Sequence, residues 1–424
     1  VTNALLPALG GPPGRHARRR GVFFEPLPWA LLVAWLGFSL LYLRHLPCLT
    51  TDPDNVINAY IRACYSDITA NYPFREWAWG VRLLGGDTLD FAPLLAMLIT
   101  IAGWFGEVIG WRTGAPVHAY TGLGEFFGAT AILLFAAFLV TVVASALIVR
   151  REGRPWDVFF IAVSPAILAA GLTSWDLFPL SLTAVGMAFA HERRSLEAGV
   201  LLGLAVSAST MSLPFALAVG IALLLAADWR NLAWYLGPFT LTAGAVHLAP
   251  LLSGRQAVAG FYRGEMSGDI GYGSLWYLMQ SSGVPLRDFG ALTFVLAVFA
   301  IAVLVAWLWV GGRRMAPGPL AAMILLIVVL LAPAYPPQTG IWVVFALLLA
   351  RPVDATSWIY SGILAAHYLA VWARLGGHLD PSTTGPWALY HLAVLARMAF
   401  ELGFLVELLW AARRAGARRA SARA

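Results

Sequence analysis

Nine charged side chains crowd into one polar stretch, Pro47 to Asp90, of a chain that is only 12% charged overall. Asp52, Asp54, Asp67, Glu76, Asp87 and Asp90 alternate there with Arg62, Arg75 and Arg82, and Tyr60, Tyr65, Tyr72, Trp77 and Trp79 are interleaved. A carboxylate can take the proton of an attacking hydroxyl, and an arginine fork can hold phosphate oxygens. This is the make-up of a folded surface that recognises something polar, not of a linker. Its focus is Cys64-Tyr65-Ser66-Asp67-Ile68, in which Asp67 is the candidate general base. The alternative is a carboxylate that caps a helix or pairs with Arg62 or Arg75. Helical spacing would set Tyr60 and Cys64 behind Asp67 and Asn71 ahead of it. Arg75 and Arg82 could share one helical face for phosphate, or make surface salt bridges instead.

Further candidates lie downstream. Asp176 opens an apolar run after Trp175, where an ionisable residue is costly and suggests function, although an acid also suits the first turn of a helix. Arg263, Glu265 and Asp269 precede Gly273-Ser274-Leu275-Trp276-Tyr277 and either bind substrate or belong to a solvated loop. Arg397 and Glu401 stand four apart and should pair within the last apolar run. His247, His367 and His391 fall in apolar runs and read as makers of interhelical hydrogen bonds.

The elements that must position these residues are membrane helices. Of the 424 residues 60% are hydrophobic and only 12% charged, against about 25% charged residues in an ordinary soluble domain. The 18 Trp and 13 Tyr suit the two membrane interfaces. The net charge of +6 comes from arginine clusters, since no Lys occurs, and it reads as topology rather than nucleic-acid binding. Both cysteines, Cys48 and Cys64, fall in the first polar loop; they pair as a disulfide if that loop meets an oxidising compartment, and are otherwise free thiols. No metal site or cofactor is expected, because no second thiol pair or close His cluster completes a ligand set.

Arginines at 150–151, 193–194, 230, 313–314, 351 and 413–419 follow every second apolar run from 123 onward. Placing all of them in the cytoplasm gives about twelve crossings and one non-crossing helix at 91–109. The expected fold is all-α and polytopic, with both termini cytoplasmic in a plasma membrane. Residues 1–26 form a basic N-terminal tail, 27–411 one transmembrane domain and 412–424 a basic C-terminal tail. The polar loops at 47–90 and 252–288, and the breaks at 173–176, 209–214 and 335–338, then face outward together. That asymmetry points to work on an extracytoplasmic substrate.

The set Cys64-Tyr65-Ser66-Asp67-Ile68, Arg154-Pro155-Trp156-Asp157, Ser164-Pro165, Ser174-Trp175-Asp176-Leu177, Gly273-Ser274-Leu275-Trp276-Tyr277 and Tyr335-x-Pro337-Gln338 resembles, from about residue 45 to 411, actinobacterial membrane proteins allied to glycosyltransferase family 87. These are polyprenol-phosphate-mannose-dependent mannosyltransferases of the GT-C superfamily. The resemblance implies a GT-C-like fold with a structured first extracytoplasmic loop. It also implies inverting transfer of a sugar from a polyprenyl-phosphate donor, beside the lipid bilayer, to an envelope glycolipid or glycan acceptor. Asp67 matches the family's catalytic aspartate, and Tyr72, Arg75, Asp176, Arg263, Glu265, Tyr277, Tyr335 and Gln338 form the expected substrate-binding set. Where family members carry lysines, this chain has Met211-Ser212 and Ala332-Pro333. A non-catalytic scaffold is therefore the second reading, and a lipid-linked sugar transporter the third.

Overall fold

The computed structural model describes residues 25–49, 58–71, 91–113, 123–253, 255–266, 268–286, 289–379 and 388–421. Tyr72 and Arg75, with Asp52 and Arg82, lie outside the described residues. Those described are all-helical apart from turns and connecting loops. The helices are α1 (Pro26–His45), α2 (Asp67–Asn71), α3 (Pro93–Thr113), α4 (Leu123–Arg151), α5 (Phe159–Ala162), α6 (Pro165–Ala170), α7 (Leu177–His191), α8 (Ser195–Ala208) and α9 (Leu213–Leu225). They continue with α10 (Trp229–Ser253), α11 (Arg255–Met266), α12 (Leu275–Ser281), α13 (Phe289–Val310), α14 (Pro317–Leu331), α15 (Thr339–Ala350), α16 (Ala355–Leu375) and α17 (Ala388–Ser421).

Three stretches, Pro26–Cys48, Leu123–Arg151 and Phe289–Val310, are long and apolar enough to cross a membrane. Burial sorts the helices by their sequence. A helix apolar on every side must be surrounded by protein or lipid. At the centre, Leu320 to Leu326 of α14 and Trp342 to Ala346 of α15 are wholly buried. The equally apolar α13 instead leaves Val295, Val298, Phe299 and Val303 at least half exposed. Such a face suits lipid, not water.

Small residues decide the closest packing. On α8, Gly199-x-x-x-Gly203 meets α10 so tightly that a Cβ at Gly199 would collide with the Tyr235 carbonyl, and one at Gly203 with Thr242 and Phe239. Backbones approach this closely where no side chain intervenes. On α1, Ala30, Ala34, Gly37, Phe38 and Leu41 form the buried stripe, while Trp35, Leu36, Leu40 and Leu43 face outward.

The bundle has two distinct ends. At one, Arg151 pairs with Glu192 at 2.8 Å, Arg351 with Glu407 at 3.2 Å, and Arg150 with Glu25 at 3.4 Å. Arg154 donates to the Leu348 carbonyl at 3.1 Å, and Asp157 accepts from Val353 N–H at 3.0 Å. The arginine-bearing turns near 151, 193 and 351 therefore lie at the same end. At the other end the polar breaks meet, and α7, α8 and α15 each run from one end to the other. In α3, Leu95 faces the cavity among those breaks, while Gly106 abuts Phe126 near the opposite end of α4 from the arginines. Both of these contacts lie in the non-basic half of the bundle.

Four details depart from the sequence reading. The run at 157–172 is broken at Val163-Ser164 before Pro165, because proline restricts the residue preceding it and suits a new helix start. The loop expected at 252–288 contains α11 and α12, the latter capped by Ser274 Oγ, which accepts from Tyr277 N–H at 3.0 Å. The last helix continues through Ser421 rather than ending near 411, since its Arg and Ala residues favour helix. His247 and His391 do bond across helices, to Tyr262 at 2.5 Å and Ser281 at 3.4 Å, but His367 has no hydrogen-bond partner among the described residues and lies edge-on to Tyr335.

Candidate functional site

The Asp67 segment is fixed by the break between α6 and α7. A left-handed Ala63, with φ 52°, ends the preceding turn, Cys64 to Ser66 belong to no helix, and the helix begins at Asp67 itself. Tyr60 and Cys64 thus do not share a helix with Asp67, and only the relation to Asn71 holds: its amide donates to the Asp67 carbonyl at 2.8 Å. The buried Ser66 hydroxyl donates to the Leu172 carbonyl at 2.6 Å, and Asp67 N–H donates to the Thr173 carbonyl at 2.7 Å. These long-range bonds replace water for groups that would otherwise be unsatisfied. A disulfide joins Cys48, after α1, to Cys64 and anchors the same segment from behind. Tyr60 and Tyr65 stack at 4.8 Å and lean on Trp372.

Around Asp67 lies a cavity of about 290 Å³ lined by Asn71, Phe91, Ala92, Leu95, Ser174, Trp175, Asp176, Pro179, Ala208, Ser209, Thr210, Phe261, Glu265 and Gln338. Six separate stretches of chain converge here, three of which carry motifs distinguished by sequence. Asp176 Oδ1 accepts from Trp342 Nε1 at 2.8 Å, and its other oxygen accepts from the Ser174 hydroxyl. Gln338 Nε2 reaches Asp67 Oδ2 at 3.5 Å, while its Oε1 is buried without a partner among the described residues. Glu265, on the exposed side of α11, accepts from Thr210 Oγ1 at 2.6 Å.

The electrostatics follow from enclosure. Burial pushes the Asp67 carboxyl up to about 6; its hydrogen bond to Tyr65 opposes that rise, and the charge of Asp176 adds to it. The Tyr65 hydroxyl is held well above its ordinary range by burial and then by Asp67. Asp67 is therefore a carboxylate that is ionised at neutral pH yet basic enough to accept a proton, the condition under which a general base works best. Among the described lining residues none is basic.

The expected substrate-binding residues divide. Asp176, Glu265 and Gln338 join Asp67 at the cavity. Tyr335 does not: it is fully buried, with Arg397 stacked over its ring at 3.5 Å. Tyr277 belongs to a neighbouring aromatic group with Tyr272 and Tyr390, beside Arg374. Arg263 is exposed on α11, two residues from each of Phe261 and Glu265 and so off the face that they present to the cavity. The sequence reading passed over Trp342, Thr210 and Phe261. Trp342 lies inside a uniform apolar run and carries no signal, whereas Thr210 stands in a break that was itself recognised. No protein-family model matches the chain, and no curated protein matches it.

Proposed function

We propose that the chain is a polytopic glycosyltransferase of GT-C type in a plasma membrane, with about twelve crossings and both termini in the cytoplasm. It moves a sugar, mannose by resemblance, from a polyprenyl-phosphate donor to a hydroxyl of an envelope glycolipid or glycan outside the membrane. The observation that carries this reading is the pair Asp67 and Asp176 in one aromatic-walled cavity, with Asp67 raised to about 6. The disulfide at this end supports an extracytoplasmic position.

In the proposed reaction the acceptor oxygen attacks the anomeric carbon from the face opposite the phosphate. Its proton passes to an Asp67 oxygen, and the bond from carbon to phosphate oxygen breaks with its electron pair leaving on the polyprenyl phosphate. Tyr65 and Gln338 orient the carboxylate, and Asp176 keeps it basic. The test is transfer from radiolabelled polyprenyl-phosphate sugars in nanodiscs. Asp67→Asn should lower turnover by about 10² to 10⁴ while the protein remains folded. Full activity in that variant removes Asp67 as the base, and inactivity of the wild type across mannose and arabinose donors and a broad acceptor panel removes the enzyme. The absence of a basic side chain among the described lining residues favours the second reading, a non-catalytic scaffold for envelope synthesis, which that last outcome would support.

A further inference from the structure

We infer that the cavity seats the acceptor and takes a sugar ring without negative charge, a neutral or amino sugar, while excluding rings that carry carboxylate, sulfate or phosphate. The role as acceptor site rests on the glycosyl-transfer reading; the charge selectivity rests on the cavity alone.

Its walls offer what a sugar ring needs. Asp67, Asp176 and Glu265 are among its lining residues. An ionised carboxylate only accepts hydrogen bonds, so it suits a hydroxyl or ammonium and repels another anion. Gln338 brings an amide whose buried oxygen has no partner among the described residues, an acceptor left open beside the cavity. Trp175 and Phe261 add aromatic surface for the apolar face of a ring. The volume of about 290 Å³ stands at the lower end of small-molecule sites, about 300 to 1,000 Å³. One or two rings fit that space, but a long oligosaccharide does not.

Three acidic groups with no basic residue among the described lining make a poor seat for the donor phosphate. Near the buried Asp67 a second negative charge is screened less than in water. The described lining therefore favours the uncharged reactant as the occupant of this cavity.

The experiment titrates nanodisc-held protein at pH 7.5, in EDTA, with methyl mannoside, glucosamine and glucuronate, read by saturation-transfer NMR. Neutral and amino sugars should bind at least about tenfold more tightly than the uronate, a gap of the size that one enclosed charge produces. Glu265→Gln should narrow the gap, whereas Glu197→Gln, in the arginine-bearing turns, should not. Equal binding of the uronate, no binding of any of the three, or recovery of uronate binding on adding magnesium each overturns the inference. Transfer onto anionic acceptors as readily as onto neutral ones overturns it while leaving the glycosyltransferase standing. A preserved binding order without transfer from any donor instead removes the enzyme and leaves a sugar site.

Discussion

Asp67→Asn should make the protein more stable at neutral pH while disabling it. The Asp67 carboxyl moves from 3.8 to about 6 on folding, chiefly through burial. A rise of about two units corresponds to about 3 kcal/mol, taking 1.36 kcal/mol per unit. Because the folded value is raised, the group's favourable contribution is complete below about pH 4 and is lost as pH rises through about 6. At pH 7.5 the wild type therefore carries an enclosed charge that costs up to about 3 kcal/mol, which an amide of the same shape avoids. Asparagine can still accept from Tyr65 and Gln338, and its new N–H group can donate toward Asp176. The thermal midpoint in detergent, followed by intrinsic fluorescence, should rise by several degrees at pH 7.5 and differ little at pH 4. A variant less stable than wild type at pH 7.5, with no dependence on pH between 4 and 7, would refute the assignment of an enclosed, raised carboxyl.

Three further outcomes follow from the packing. Arg397 and Glu401 are fully buried and bonded at 2.9 Å, with Tyr360 also donating to Glu401 at 2.9 Å. Arg397→Met alone should destabilise by about 3 to 5 kcal/mol by stranding a buried charge, and adding Glu401→Leu should recover part of that loss in a double-mutant cycle. Gly203→Leu should separate α8 from α10, lowering the folded yield by gel filtration, while Gly237→Leu, where added bulk meets open space, should not. A cysteine replacing the exposed Arg263 should react with an impermeant maleimide on intact cells, and one replacing Arg194 should not; the reverse pattern would invert the proposed topology.

Much of the layout is written locally in the chain. The polar breaks, the arginine-bearing turns, the pairing of Arg397 with Glu401 and the coupling of Cys48 to Cys64 depend on short spacings or on composition. The meeting of Asp67 with Asp176 does not. It depends on a serine hydroxyl and a backbone amide bonding to carbonyls more than a hundred residues away, in the break between α6 and α7. Tyr335 and Gln338 show the same limit within a single motif. Although three residues apart, they point to different places, because Tyr335 N–H bonds to the Tyr272 carbonyl while Gln338 begins the turn into α15. That pairing ties the segment to Gly273, whose φ of 80° and close approach to the Tyr335 carbonyl leave no room for a side chain. Proximity in sequence gave no sign of which side chain would face inward.

The shortness of α7 has a consequence for how substrates arrive. Its 15 residues rise about 22 Å, whereas the hydrocarbon core of a bilayer is about 30 Å thick. In the proposed orientation, taking His191 as the inner boundary, Asp176 at the other end of α7 would sit about 8 Å beneath the outer one. The floor of the cavity would then be a pit within the outer leaflet. A lipid-borne donor could reach it by lateral diffusion, without lifting its phosphate far into water, while a large envelope polymer would have to lower one terminal residue into the well. Chain ends, rather than internal positions, would be the units it modifies, and thickening the surrounding bilayer should slow the reaction by deepening that descent.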